Sequence, residues 1–229
     1  MIIKNPQILI KPSQVFIDDL QKNISGKIIA KKQSYINAAN ATNLPVSVLM
    51  TVAAIESSGE HYNKNGSVYV SGSERSVGVM QMSPAGFYEA LKFEIPKKRL
   101  SQYSVNEIKR KLPNFKFNLG DKMPPAASRA TLNEIFEALK DYDFNILASA
   151  ICFRRLLEMT ADKDVIRLDR AIVKYNVGEY SKPTKTIAFN YGDTTNLYNN
   201  ASLPKITKTY IVKAVGVSGA LYFFTKKGY

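Results

Sequence analysis

Glu56 is the side chain whose type and place most invite chemistry. It follows Leu49, Val52 and Ala53 at the i, i+3, i+4, i+7 spacing, so a carboxylate shares an apolar helical stripe. Pro45, just after Asn43 and Leu44, predicts a helix start and Gly59 a stop, giving a helix from Pro45 to about Ser58. At that end the carboxylate meets the negative pole of the helix dipole, and on an apolar face it loses water. Both effects disfavour its ionised form and predict a raised pKa. An acid that keeps its proton near neutrality can protonate a leaving oxygen, as cleavage of a glycosidic bond requires. The plainer reading is a boundary glutamate that snorkels or pairs with a basic residue. Retaining glycosidases use two carboxylates about 5 to 5.5 Å apart. The neighbouring acids, Glu60 and Glu74, lie in polar, turn-like sequence and read as ordinary surface charges.

Other chemistries fare worse. One Cys and one His build neither a disulfide nor a His/Cys zinc site, which largely excludes transition-metal chemistry. Cys152 lies inside an apolar helical run, where an inert buried thiol is the expected state. Ser202-Leu-Pro-Lys205 is a Ser-x-x-Lys dyad only formally, since Pro204 breaks the helical turn that would align the pair.

The elements that must position Glu56 follow from periodicity. Asn65-Gly66, the alternating Ser67 to Val70, the turn at Ser71-Gly72-Ser73 and the run Ser76 to Met82 read as a small β-hairpin closed by Pro84. Residues 85–142 read as short helical pieces broken at Pro96, Pro113, Gly120 and Pro124-Pro125. Phe144 to Met159 is apolar almost all round up to its arginines, the pattern of a helix enclosed by others. Val165, Leu168, Ile172 and Tyr175 form another stripe that ends near Gly178. Residues 179–204 are Asn/Thr/Tyr-rich loop, where Tyr180, Phe189, Tyr191 and Tyr198 are candidates for stacking on sugars or for plain packing. Pro204 to Val215 is a last helix candidate. The fold class expected is mostly α (α+β), with one small β-hairpin beside the Glu56 helix.

Three blocks in this order carry a resemblance: Ile55-Glu56-Ser57-Ser58-Gly59, Gly78-Val79-Met80-Gln81-Met82-Ser83-Pro84, and Ala171-Ile-Val-Lys-Tyr-Asn-Val-Gly178. Asp143-Phe-Asn145-Ile and Tyr210-Ile-Val-Lys-Ala-Val215 add to them. Together they resemble the soluble lytic transglycosylase family, whose fold is that of goose-type lysozyme. The resemblance covers roughly residues 35–86 and 143–216. It implies a lysozyme-like helical domain in which Glu56 is the catalytic acid and later the base, supported by Ser57. Met80 and Gln81 would line the cleft, with the Gln81 amide turned to sugar groups. Tyr175 and Asn176 would stand opposite Glu56, and Gly78 and Gly178 would allow close backbone approach. The family mechanism needs no second acid, and the resemblance implies no metal and no cofactor. The 2-acetamido group of N-acetylmuramic acid stabilises the anomeric centre, and the C6 hydroxyl replaces water, leaving a 1,6-anhydro end. Two departures stand out. Arg75-Ser76-Val77 precedes Gly78 where the family has Gly-Ala, and the segment 87–142 is much longer than the usual connection. The chain divides accordingly into an N-terminal extension (1–34), a transglycosylase domain (35–216) with a basic insertion at 87–142, and a C-terminal tail (217–229).

The formal charge is +13, and residues 91–122 together with 201–229 supply eleven of those charges. Such a surface favours anionic partners. The peptidoglycan glycan strand is the partner implied, with phage structural proteins beside it. A non-enzymatic nucleic-acid-binding or envelope-binding virion protein is the reading from another class, although no zinc finger or aromatic nucleic-acid-reading motif accompanies the charge, so no specific nucleic acid is expected. Met1 to Ile10 offers only Ile8-Leu9-Ile10 as an apolar core, too short for a signal peptide, and Ala214 to Thr225, about half a span, is broken by glycines, so no membrane span is expected. The expectation is a protein made in the bacterial cytoplasm that meets the wall as a bacteriophage virion-associated lysin or as an endolysin released at lysis.

Overall fold

The computed structural model describes residues 18, 20–72, 75–117, 123–161, 171–172, 174–175 and 224–229. Within them the chain is mostly helical with a small two-stranded antiparallel sheet. A π-helical turn, Leu20–Ile24, leads into α1 (Ser25–Ile29), α2 (Lys32–Thr42) and α3 (Val46–Ser57). The strands β1 (Val70–Ser71) and β2 (Ser76–Val77) follow, then α4 (Pro84–Glu94), α5 (Gln102–Lys111), α6 (Arg129–Ala138) and α7 (Tyr142–Thr160). Among the described residues, no helix is long and apolar enough to cross a membrane.

Local chemistry sets the helix starts. Ser83 accepts the Gly86 N–H at 3.1 Å with Pro84 in the first turn. Ser101 caps α5 through Ser104 N–H, Ser128 caps α6 through Thr131 N–H, and Asp141 caps α7 through Phe144 N–H at 2.9 Å. Each cap satisfies an N–H that the first helical turn leaves without a partner.

The enclosed helix is α7. Its residues from Phe144 to Leu157 are all buried, and it packs mainly against α2 and α4, with α5 alongside. Helix α3, bearing Glu56, is likewise buried from Ser47 to Ile55 on every side. The single apolar stripe read in the sequence is therefore the visible part of a wholly enclosed helix. Its polar residues tolerate burial because they bond to their own backbone, as Thr51 Oγ1 does to the Ser47 carbonyl at 2.6 Å.

Residues from each of the three expected segments share one core. The boundary at residue 35 falls inside α2, and Ile24 and Ile28 of the supposed extension lie in the same core as α3. The stretch 87–142 contributes to that core as well. Phe87, Leu91, Ile108 and Ile135 are fully buried in that core, with α4 and α6 packed together and α4 on α7. Phe224, in the supposed tail, is also fully buried there. Apolar residues at helical spacing within charged sequence gave these segments a core face that composition alone concealed.

The basic stretch 91–122 is in part neutralised locally. Lys92 pairs with Glu89, Arg99 with Glu94 and Glu158, Arg110 with Glu107, and Lys111 with Asp141. Lys97 lies 3.5 Å from the centroid of the Phe93 ring.

Candidate active site

Helix α3 delivers Glu56 to the surface one residue before its last, and the side chain is half-buried there. The chain then leaves through two left-handed residues, Ser58 (φ 55°) and Gly59 (φ 77°), whose N–H groups close back on the Ala54 and Ala53 carbonyls. Gly59 has a steric reason as well. A Cβ there would stand 2.9 Å from Cγ1 of Ile28, so α1 lies against the point where the helix ends.

Beside it stands a tight turn, Gly78-Val79-Met80-Gln81, closed by the reciprocal backbone bonds of Val77 and Met82 at 3.0 and 3.1 Å. Gly78 (φ 71°) and Gln81 (φ 49°) both occupy the left-handed region, which is unfavourable for Gln81 and holds only where the surroundings fix it. The surroundings do so bond by bond. Val79 N–H donates to Nδ1 of His61 (3.1 Å), and Met80 N–H to Oδ1 of Asn145 (3.0 Å). The Val79 carbonyl accepts from Ser57 Oγ and the Met80 carbonyl from Tyr175 Oη, both at 2.7 Å. The Gly78 carbonyl accepts from Gln81 Nε2 at 2.7 Å, and Ser71 Oγ donates to Gln81 Oε1. Asn145 also donates to the carbonyls of Val77 (2.9 Å) and Leu139 (3.1 Å) from a fully buried position. A turn rich in backbone polar groups can sit in an apolar body because each of these groups has a partner.

Ser57, the residue after Glu56, is thus bonded to the turn, which fixes the two blocks against each other. Its hydroxyl proton goes to the Val79 carbonyl, with the Ala53 carbonyl at 3.3 Å. The Met80 side chain is fully buried, and its carbonyl takes the Tyr175 hydroxyl proton. The Gln81 amide is bonded within the turn and the hairpin, leaving one of its N–H groups for other partners. Tyr175 reaches the turn from a helical piece that includes the buried Ala171 and Ile172, and its ring lies 4.6 Å from that of Phe153. Gly78 does what a glycine at this place should do: an added Cβ would meet the His61 ring at 2.6 Å and Asn145 at 3.0 Å.

Glu60 pairs with Lys27 at the surface and is a surface charge, as its polar setting suggested. Arg75 is exposed and lies along the surface of α6. It stacks 3.5 Å over the Phe136 ring and donates to Asn133 Oδ1 at 3.3 Å, tying the hairpin to α6. Asn176, Gly178 and Glu74 lie outside the described residues, as do Ser202, Lys205, the loop aromatics and the candidate helix from Pro204 to Val215.

Sequence reasoning missed His61, which it used only to count against metal sites. The ring is 4% exposed, and its Nε2 donates to the Lys140 carbonyl at 2.8 Å. Burial is the largest influence on its basicity and holds it below the ordinary imidazole value of 6.5, against the opposing pulls of the Lys140 carbonyl and the Asp141 carboxylate. The signal available was its place between Gly59 and the hairpin, too little without the fold.

The chain matches no protein-family model, no curated protein and no solved structure.

Proposed function

We propose that this chain is a peptidoglycan lytic transglycosylase that cleaves the β-1,4 bond between N-acetylmuramic acid and N-acetylglucosamine, with Glu56 as its single acid and base. The observation that carries the proposal is the union of two features. A half-buried carboxylate emerges at the C-terminal end of a helix enclosed on all sides, and the next residue is bonded to a turn whose backbone groups are held by Ser57, His61, Asn145 and Tyr175. The dipole of α3 and the loss of water both favour the protonated acid. Glu56 then gives its proton to the leaving glycosidic oxygen as that bond breaks. The 2-acetamido oxygen of the muramic acid stabilises the anomeric carbon. The C6 hydroxyl attacks that carbon and returns its proton to Glu56, closing the anhydro ring and restoring the acid. The rigid turn provides a fixed wall for the sugar.

The substrate's anionic peptide stems suit a chain of charge +13, and we propose that it reaches the wall as a phage virion component or on release at lysis. Detection of the chain in purified particles tests the virion route. Digestion of purified peptidoglycan followed by mass spectrometry of the muropeptides tests the chemistry. Anhydro ends are expected, with a loss of about 10²- to 10⁴-fold in Glu56→Gln. Reducing ends would replace the lyase by a goose-type hydrolase of the same bond. No products from the wild type, together with salt-dependent binding of DNA, would leave a non-enzymatic binding protein.

A further inference from the structure

The lone imidazole of the chain sits where two demands of opposite kind meet. Val79 N–H at Nδ1 requires a lone pair there, and the Lys140 carbonyl at Nε2 requires a proton there. Of the three protonation forms of a histidine ring, only the neutral Nε2–H tautomer meets both. Val79 is held at its other end by Ser57, so the contacts run from His61 through one peptide residue to the neighbour of Glu56. Gly78 leaves the ring its room, since any Cβ there would overlap it.

We infer that His61 is the positioning residue that locks the Gly78–Gln81 turn, and that protonation of its ring releases Val79 and sets the acid limit of the activity. The second half rests on the transglycosylase reading; the first does not. Few other groups bear on the ring. On its own segment, the Tyr62 ring meets it edge-on at 4.7 Å. From α7 the Tyr142 ring does so at 5.0 Å, and Asn145 borders the same space that Gly78 leaves beside the ring. The Asp141 carboxylate favours the charged ring, but it is engaged by Lys111 and by the Phe144 N–H. The Lys140 ammonium is turned to Glu137. A charged ring would set an Nδ1–H against the Val79 N–H, and the turn would lose the bond that holds this residue from behind.

Because the chain has one histidine, its ring nitrogens give a single set of NMR signals in the intact protein. At pH 8 the ¹⁵N shifts should report the Nε2–H form. As the ring protonates, the hydrogen-exchange protection of the Val79 amide should fall about tenfold, while that of Met80, held by Asn145, stays. On peptidoglycan, kcat should decline on the acid side with the midpoint seen by NMR. His61→Asn keeps an acceptor and cannot titrate, so it should lose this acid limb and retain more of the neutral-pH rate than His61→Phe. An Nδ1–H tautomer, or Val79 protection unchanged through the titration, would overturn the lock. An acid limb that persists in His61→Asn would overturn its control of activity. If no pH yields muropeptides, the transglycosylase reading and the acid limit fail together, and the tautomer with the Val79 amide still decides the lock.

Discussion

Helix α7 is anchored at its two ends by different means. Near its start, Asn145 holds backbone: the N–H of Met80 and the carbonyls of Val77 and Leu139. Toward its end, Arg154 and Glu158 join Arg99 and the fully buried Glu94 in a cluster of charges. Glu94 binds both arginines, and Arg99 binds Glu158 at 2.6 Å. The first anchor is neutral and its partners are peptide groups that no substitution can remove. The second consists mainly of side chains, and most of it can be replaced as a set. A buried ion pair loses much of its attraction to desolvation, so what it contributes is chiefly a penalty for breaking it. The site therefore stands at the end of α7 whose polar contacts cannot be exchanged for apolar packing.

Mutation can break or sharpen this contrast. Glu94→Ala should cost about 3–5 kcal/mol in denaturant unfolding, because it leaves Arg154 buried beside no carboxylate. The paired change Glu94→Leu with Arg154→Met should recover most of that loss, and failure to recover would erase the distinction between the two ends. Asn145→Ala should cost about 2–3 kcal/mol, and Asn145→Leu should do no better, since the Met80 N–H remains without an acceptor in either. Tyr175→Phe removes one donor to the Met80 carbonyl and should cost about 1 kcal/mol, with a larger effect on muropeptide release than on melting.

The smallest effect is the dependence of stability on pH. His61 is held below 6.5, so the unfolded chain binds its proton first. Stability should fall as pH drops from about 6.5 toward the folded-state value and level off beneath it. Asp141, held below 3.8 despite burial by its bonds to Lys111 and the Phe144 N–H, adds a further loss only below 3.8, reduced by its partial exposure. His61→Asn should flatten the upper part of this curve and leave the lower part in place.

The parts legible in the sequence were those written at short range. Pro45 with Gly59 bracketed the helix of Glu56 to within a residue, whereas the caps Ser83, Ser101, Ser128 and Asp141, whose bonds also lie within three residues, went unread among the polar residues around them. The hairpin was legible as alternation but overstated. Among the described residues the ladder pairs Val70–Ser71 with Ser76–Val77, while Tyr62 with Val68 and Val77 with Met82 form isolated bridges. The roles of His61 and Ser57 were not legible, because their partners lie far along the chain, at Val79 and Lys140 for the first and at Val79 for the second. Periodicity tells which face is apolar, but not which backbone group waits across the fold.

The small helix Ser25–Ile29 has one more consequence. Ile28 fills the hollow left by Gly59, and Lys27 clasps Glu60, so this early stretch buttresses the outside of the bend just beyond the acid. A shortened version of the protein trimmed to begin at residue 35 would keep Glu56, the turn and α7 and still lose the prop behind the Glu56 carboxyl.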